Sequence, residues 1–259
     1  MKARWYFIVL FAVVAAVVLA LFKAERSVCA RKAAAARLCA LNLFTLPAKP
    51  APPVLVGETI TYDVKLGMFK VGSCVFTHSG RVELAGKEAD LFTFETRMLR
   101  FSDKETIYSD PVSFLPIKVV RDISMWPKKE MITEEYDQRE HTVTINKGGV
   151  LQVIRKPAPL NNAILLPFFV RKTAKLDIGW SMNATLPTQE FVIRLVRTEK
   201  VVVPAGSYDT YYFESTPSKF QIWISADERR LPVKIRGTGG IGYTMLMSGY
   251  KEPRERQKE

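Results

Sequence analysis

His78 and His141 are the residues best suited to proton transfer near neutral pH, and they stand far apart, each in a strand-like context. No His-x-x-x-His pair or metal triad accompanies them, and no Gly-x-Ser-x-Gly elbow offers a nucleophile. The run Glu130, Glu134, Glu135 and Asp137 could supply a carboxylate pair, but charges spaced in this way along a strand read as its wet face. "GTGGIG", residues 237–242, has the glycine content of a phosphate loop without a following helix. It stands between two strand patterns and reads as a turn or glycine bend. Asn183-Ala184-Thr185 fits the glycosylation triplet, a pattern that is common by chance. Cys29, Cys39 and Cys74 match neither zinc spacing nor a lipoprotein processing site, because Cys29 follows Arg26-Ser27-Val28 and Cys39 follows Ala36-Arg37-Leu38. The residues thus predict no catalytic group, no metal and no cofactor.

Charge narrows the partners. Of the formal net charge of +12, the first 56 residues contribute +7, from eight Lys/Arg against Glu25. The remaining 203 residues interleave both signs, which is an ordinary solvated surface rather than a nucleic-acid stripe.

Residues 5–22, "WYFIVLFAVVAAVVLALF", are uncharged and almost wholly apolar after the short tail 1–4. As a helix they would span about 27 Å, near the thickness of a bilayer's hydrocarbon core. Small-x-small sites appear only beyond several charges, so the segment reads as an uncleaved transmembrane anchor. A basic, Ala-rich stalk and a Pro-rich spacer, "LPAKPAPPV", complete residues 23–56 and hold the next domain off the membrane. The rear flank, with Lys23, Arg26, Arg31, Lys32 and Arg37, is more basic than Lys2 and Arg4 in front, which by itself favours a cytoplasmic domain.

Residues 57–251 follow strand rules. Ile60, Tyr62, Val64 and Leu66 alternate with polar residues; Phe92, Phe94 and Met98 share one face, and Val143 and Ile145 continue the pattern before the turn "KGG". In "VVVPAGSYDTYYFES" Pro204 cannot donate to a ladder and Gly206 can take positive φ, so the break is a hairpin turn. Such alternation predicts an all-β domain, an antiparallel curved sheet or barrel-like ectodomain. The charged residues 252–259 read as a tail without structure. One segment departs from the pattern: "PLNNAILLPFFVRKT", residues 159–173, is densely apolar. Asn161 or Asn162 can cap a short helix there, and Pro167 would bend or end it. Such a helix would cover one open end of the sheet, or act as a movable plug over an apolar cavity.

Four stretches carry a resemblance: "GETITYDVKLGMFKVGS", "YSDPVSFLPIKVVRDI" followed by "EYDQ", "VVVPAGSYDT", and "FQIWISAD" followed by "ERRLPVKI". In this order they resemble the exported bacterial family called domain of unknown function 3108, from residue 57 to about residue 250. The resemblance implies an all-β envelope protein and brings no catalytic residues. It outweighs the flank count and puts the β-domain on the periplasmic side of the inner membrane, tethered through residues 5–22. The expected role is a non-catalytic module for a lipid-like or other apolar ligand. Leu165, Phe168, Phe169 and Trp223 would face its groove, and Arg171 would meet a headgroup. The alternatives are a scaffold that binds another envelope protein through a sheet edge, and a hydrolase if His78 or His141 gathers carboxylates.

Overall fold

The computed structural model describes residues 56–173, 175–238 and 242–252. The anchor 5–22, the stalk, Cys29, Cys39 and residues 253–259 lie outside the described residues. Among the described residues, no helix is long and apolar enough to cross a membrane.

Fourteen strands among these residues form one antiparallel sheet. They are β1 (Thr59–Leu66), β2 (Phe69–Leu84), β3 (Lys87–Met98), β4 (Phe101–Ser109), β5 (Pro116–Met125), β6 (Lys128–Asp137), β7 (Thr142–Lys147), β8 (Val150–Arg155), β9 (Ser181–Thr185), β10 (Glu190–Val203), β11 (Gly206–Thr216), β12 (Phe220–Ser225), β13 (Pro232–Gly237) and β14 (Tyr243–Lys251). Each strand pairs with its sequence neighbour, except where a single helix, α1 (Leu166–Arg171), interrupts the run between β8 and β9. The first strand pairs with the last, Thr59 opposite Lys251 through Lys65 opposite Thr244, so β8 and β9 become the two ends of the sheet. The sheet curves, and the largest buried cluster joins residues from both halves, among them Tyr62, Phe76, Phe92, Val119 and Met245.

The hairpin breaks behave as turns. Val203 pairs with Gly206 across Pro204 and Ala205, and Gly206 adopts φ +140°, a value closed to most side chains. Lys147 pairs with Val150 across two glycines with positive φ, and Gly237 pairs with Tyr243 across the glycine-rich stretch.

Two local expectations change. The helix is only six residues long, and Pro167 lies in its first turn, where no amide hydrogen is needed, so it starts the helix rather than ending it. Asn162 does cap, but one turn earlier: its Oδ1 accepts from the Ile164 and Leu165 amides at 2.8 and 3.3 Å. The acidic run is also not uniformly wet. Glu130 and Glu135 pair with Lys147 and Lys118 outside, whereas Glu134 shares the buried face of Ile132 and accepts a hydrogen bond from Tyr136 Oη at 2.5 Å.

The chain between β8 and β9 stitches the two ends of the sheet together. The Gln138 side chain donates to the Leu160 and Pro116 carbonyls and accepts from the Leu160 amide. The next residue, Asn161, continues toward β9: its amide donates to the Thr185 carbonyl, and its Oδ1 accepts from the Thr185 amide. Buried backbone polar groups must be paired, and two side-chain amides do this where no strand can.

Candidate functional site

The segment that these contacts lead into is the one the sequence singles out. Phe168 stacks on Phe76 of β2 with ring centroids 3.9 Å apart, and Leu165 is buried beside it. Leu166 and Val170 point into a second apolar cluster with Ile193, Leu195, Phe213 and Ile222. A helix this short is not stable alone, so α1 owes its shape to this docking.

Polar contacts pin its C-terminal end. Arg171 and Glu58 form an ion pair at 2.6 Å with side chains only 2% and 0% exposed. Arg230, from the β12–β13 turn, donates to the carbonyls of Arg171 and Thr173. Lys172 donates to the Val112 carbonyl at 2.9 Å, and its Nζ stands 3.9 Å from the centre of the Phe114 ring. Arg230 thereby satisfies carbonyls at the helix end, where a cation is favoured. Burial lowers the Lys172 pKa, against the opposing pull of Asp90 and Asp110.

Two spaces lie on either side of the segment. An apolar cavity of about 120 Å³ is walled by α1 residues Leu166, Pro167 and Phe168, and by Tyr62, Phe76, Phe94, Ile222 and Met245 of the sheet. An open groove of about 490 Å³ is bounded by Phe169, Lys172, Asn161, Leu115, Asn183 and Thr185. Consecutive residues thus serve different spaces, Phe168 the cavity and Phe169 the groove.

The other expected site residues lie apart. Leu165 packs in the core, and Arg171 is engaged with Glu58. Trp223 lines neither space; side chains alternate along β12, so it points away from the cavity that Ile222 lines. Its Nε1 donates to Glu199 Oε1 at 2.5 Å, and Lys234 lies over its ring at 4.1 Å. Lys172, Asn161 and Asn183 were not among the expected groove residues. A cation next to the apolar run signals Lys172 in the sequence, whereas the two asparagines reach the groove only through the β9 contact.

Two buried polar groups flank the core. His78 Nε2 lies 3.8 Å from Asp90 Oδ1, both are buried, and the imidazole stacks on Phe92. Ser109 is the register partner of Asp90. These residue types suit hydrolysis, but 3.8 Å exceeds a hydrogen bond, and none of the three lines either space. The second group is Asp103, Glu105, Arg121 and Glu134. Arg121 pairs with Asp103 and lies 3.3 Å from Glu105, which is the register partner of Phe94. Burial pushes the Glu105 carboxyl up to about 7; Arg121 pulls it down, and Asp103 and Glu134 push it up.

No protein of curated function matches this sequence. Among solved structures, the chain is similar to a β-barrel-like protein of the domain of unknown function DUF1849 from Brucella abortus. That match is 8% identical, covers 76% of this chain and 97% of that one, and has a TM-score of 0.47. A candidate exported protein with a YmcC-like fold from Bacteroides fragilis matches at 10% identity, over 78% and 99% of the two chains, with a TM-score of 0.30. A candidate lipoprotein from Parabacteroides distasonis matches at 11% identity, over 80% and 100%, with a TM-score of 0.28. A family model matches residues 61–248, and the chain belongs to that family, the protein of unknown function DUF3108.

Proposed function

We propose that this chain is a membrane-tethered envelope module that binds an amphipathic, lipid-like ligand at α1 without catalysis. The observation that carries the reading is the placement of α1 between an apolar cavity and a groove with a cation on its wall. Ligand pockets typically occupy about 300–1,000 Å³, so the apolar cavity is too small alone, whereas the two spaces joined by a shift of α1 are large enough. An acyl chain would replace Phe168 against Phe76, and an anionic head would sit at Lys172. Arg171 then acts as the latch that sets how readily α1 moves. The apolar segment 5–22 and the Pro-rich spacer support tethering at the inner membrane with the β-domain on the periplasmic side, against the basic flank at 23–37.

Native mass spectrometry of the chain purified from a bacterial envelope, with lipid extraction, tests this. A co-purifying lipid that is lost on Phe169→Ser/Lys172→Glu substitution is expected. A clean apo mass that persists when lipids are offered would sink the reading.

A second reading rests on β8. This terminal strand exposes Val150, Leu151 and Val153, so an envelope protein could add a strand there. Site-specific photocrosslinking from position 152 in cells would give one discrete adduct in that case, and Val153→Pro would abolish it.

A further inference from the structure

An antiparallel meander returns every second turn to the same end of the sheet. The β1–β2, β3–β4 and β5–β6 turns therefore share one end, and the pairings fix them side by side. Gly72 lies opposite Met98, Met98 opposite Phe101, Phe101 opposite Met125, and Met125 opposite Lys128. The Trp126 amide donates to the Arg100 carbonyl at 3.3 Å, and Arg100 lies 5.7 Å from the Trp126 ring centre, so the β3–β4 and β5–β6 tips touch, while the β1–β2 tip projects further out beyond the Gly72–Met98 pair. From β1 to β6 the row extends about 24 Å.

These tips carry the wrong side chains for water alone. Met68 is 82% exposed, Phe69 72%, Leu99 85% and Trp126 72%. Residues 66–70, 97–101 and 125–129 contain Lys70, Arg97, Arg100, Lys128 and Lys129 and no carboxylate. Lys70 and Arg97 pair with Asp63 and Glu95 further down the strands, while Arg100, Lys128 and Lys129 have no ion pair among the described residues. The turns at the opposite end, where Thr59 and Lys251 also lie, are mixed in sign: Asp110, Asp137, Glu140, Asp227 and Glu228 stand there among Lys87, Arg139, Arg229 and Arg230.

We infer that this row of tips is a docking surface for an anionic lipid bilayer. Exposed Met, Phe, Leu and Trp on separate hairpins insert to the depth of the headgroups, and the surrounding cations meet the phosphates. A protein interface has a contiguous, fully buried apolar centre within a polar rim. The tips instead offer apolar side chains on separate hairpins with an excess of cations unpaired among the described residues, Arg100, Lys128 and Lys129, which suits a fluid, anionic surface. This surface involves neither α1 nor residues 5–22, so it stands or falls independently of the ligand reading.

The test uses Ala51–Glu259, a compact unit whose sheet, core and buried ion pair are internal to it. The protein is floated with vesicles of phosphatidylcholine, with and without phosphatidylglycerol. Binding is expected only to the anionic vesicles, falling as salt is raised, with a blue shift of Trp fluorescence that Trp126→Ser removes. Met68→Ser/Phe69→Ser/Leu99→Ser/Trp126→Ser should weaken binding at least about tenfold, and Lys128→Glu/Lys129→Glu should do the same. The high exposure of these side chains leaves the fold unaffected, which circular dichroism checks. Absence of the folded protein from anionic vesicles overturns the inference. So does binding by either variant that equals the parent's, or retention only on vesicles that carry an envelope protein.

Discussion

Arg171 and Glu58 are 113 residues apart in sequence and meet at 2.6 Å with almost no solvent contact, which makes this pair the sharpest handle on the fold. Replacing Arg171 by Met keeps the length and apolar body of the side chain and removes its charge. The buried Glu58 carboxylate then loses the cation 2.6 Å from it, at a cost of about 3–5 kcal/mol. For a domain of this size, that corresponds to a fall in melting temperature of roughly 6–20 °C. Replacing both residues, as in Glu58→Leu/Arg171→Met, removes the two desolvation penalties together, and the double variant should return to within about 1 kcal/mol of the parent. The assay is urea denaturation of the three variants and the parent, treated as a double-mutant cycle, with hydrogen exchange followed across residues 160–173. The single variant should also exchange faster in that stretch, because α1 loses its deepest anchor. A single variant that loses less than about 1 kcal/mol, or a double variant as unstable as the single, would refute the argument that the pair latches α1.

Other outcomes follow from the same geometry. Glu105 keeps its proton in the folded chain up to about pH 7, whereas a free Glu releases it near 4.3. The folded state therefore binds more protons across that window, and stability falls as pH rises through it, by up to about 3 kcal/mol. Glu105→Gln should flatten this part of the profile; denaturation midpoints at pH 5 and pH 8 that keep the parental slope would contradict it. Phe168→Ala removes the ring stacked on Phe76 and should cost about 3–5 kcal/mol in denaturant, while enlarging the cavity enough to take up benzene or xenon. A Cβ added at Gly72 would sit 2.3 Å from the Arg97 carbonyl oxygen, so Gly72→Ala must push β2 and β3 apart. Its melting temperature should fall well below that of Gly86→Ala, a turn position with open space around it.

Much of this architecture is local and was therefore written in the sequence. Alternation in "ETITYDVKL" becomes β1, the Pro-Ala-Gly break becomes the β10–β11 turn, and "KGG" becomes the β7–β8 turn. Each depends on side-chain period or backbone sterics within a few residues. The ordered motifs that resemble the 3108 family agree with its match over residues 61–248. The apolar run at 159–173 also announces an element unlike the strands around it.

What the sequence leaves open is whatever depends on pairings between distant strands. Phe168 and Phe169 are identical in type, and only the rotation of α1 sends one to the cavity and the other to the groove. Arg171 looks like a surface cation until β1 brings Glu58 beneath it, and Glu134 looks like part of a wet face until β4 and β5 place Glu105 and Arg121 beside it. The row of apolar and basic tips is likewise invisible along the chain. Met68, Leu99 and Trp126 come to one end of the sheet only because the registers of five successive hairpinned pairs bring their turns there. Periodicity fixes which way a side chain points from its own strand; register and curvature, which are long-range quantities, decide what it meets there.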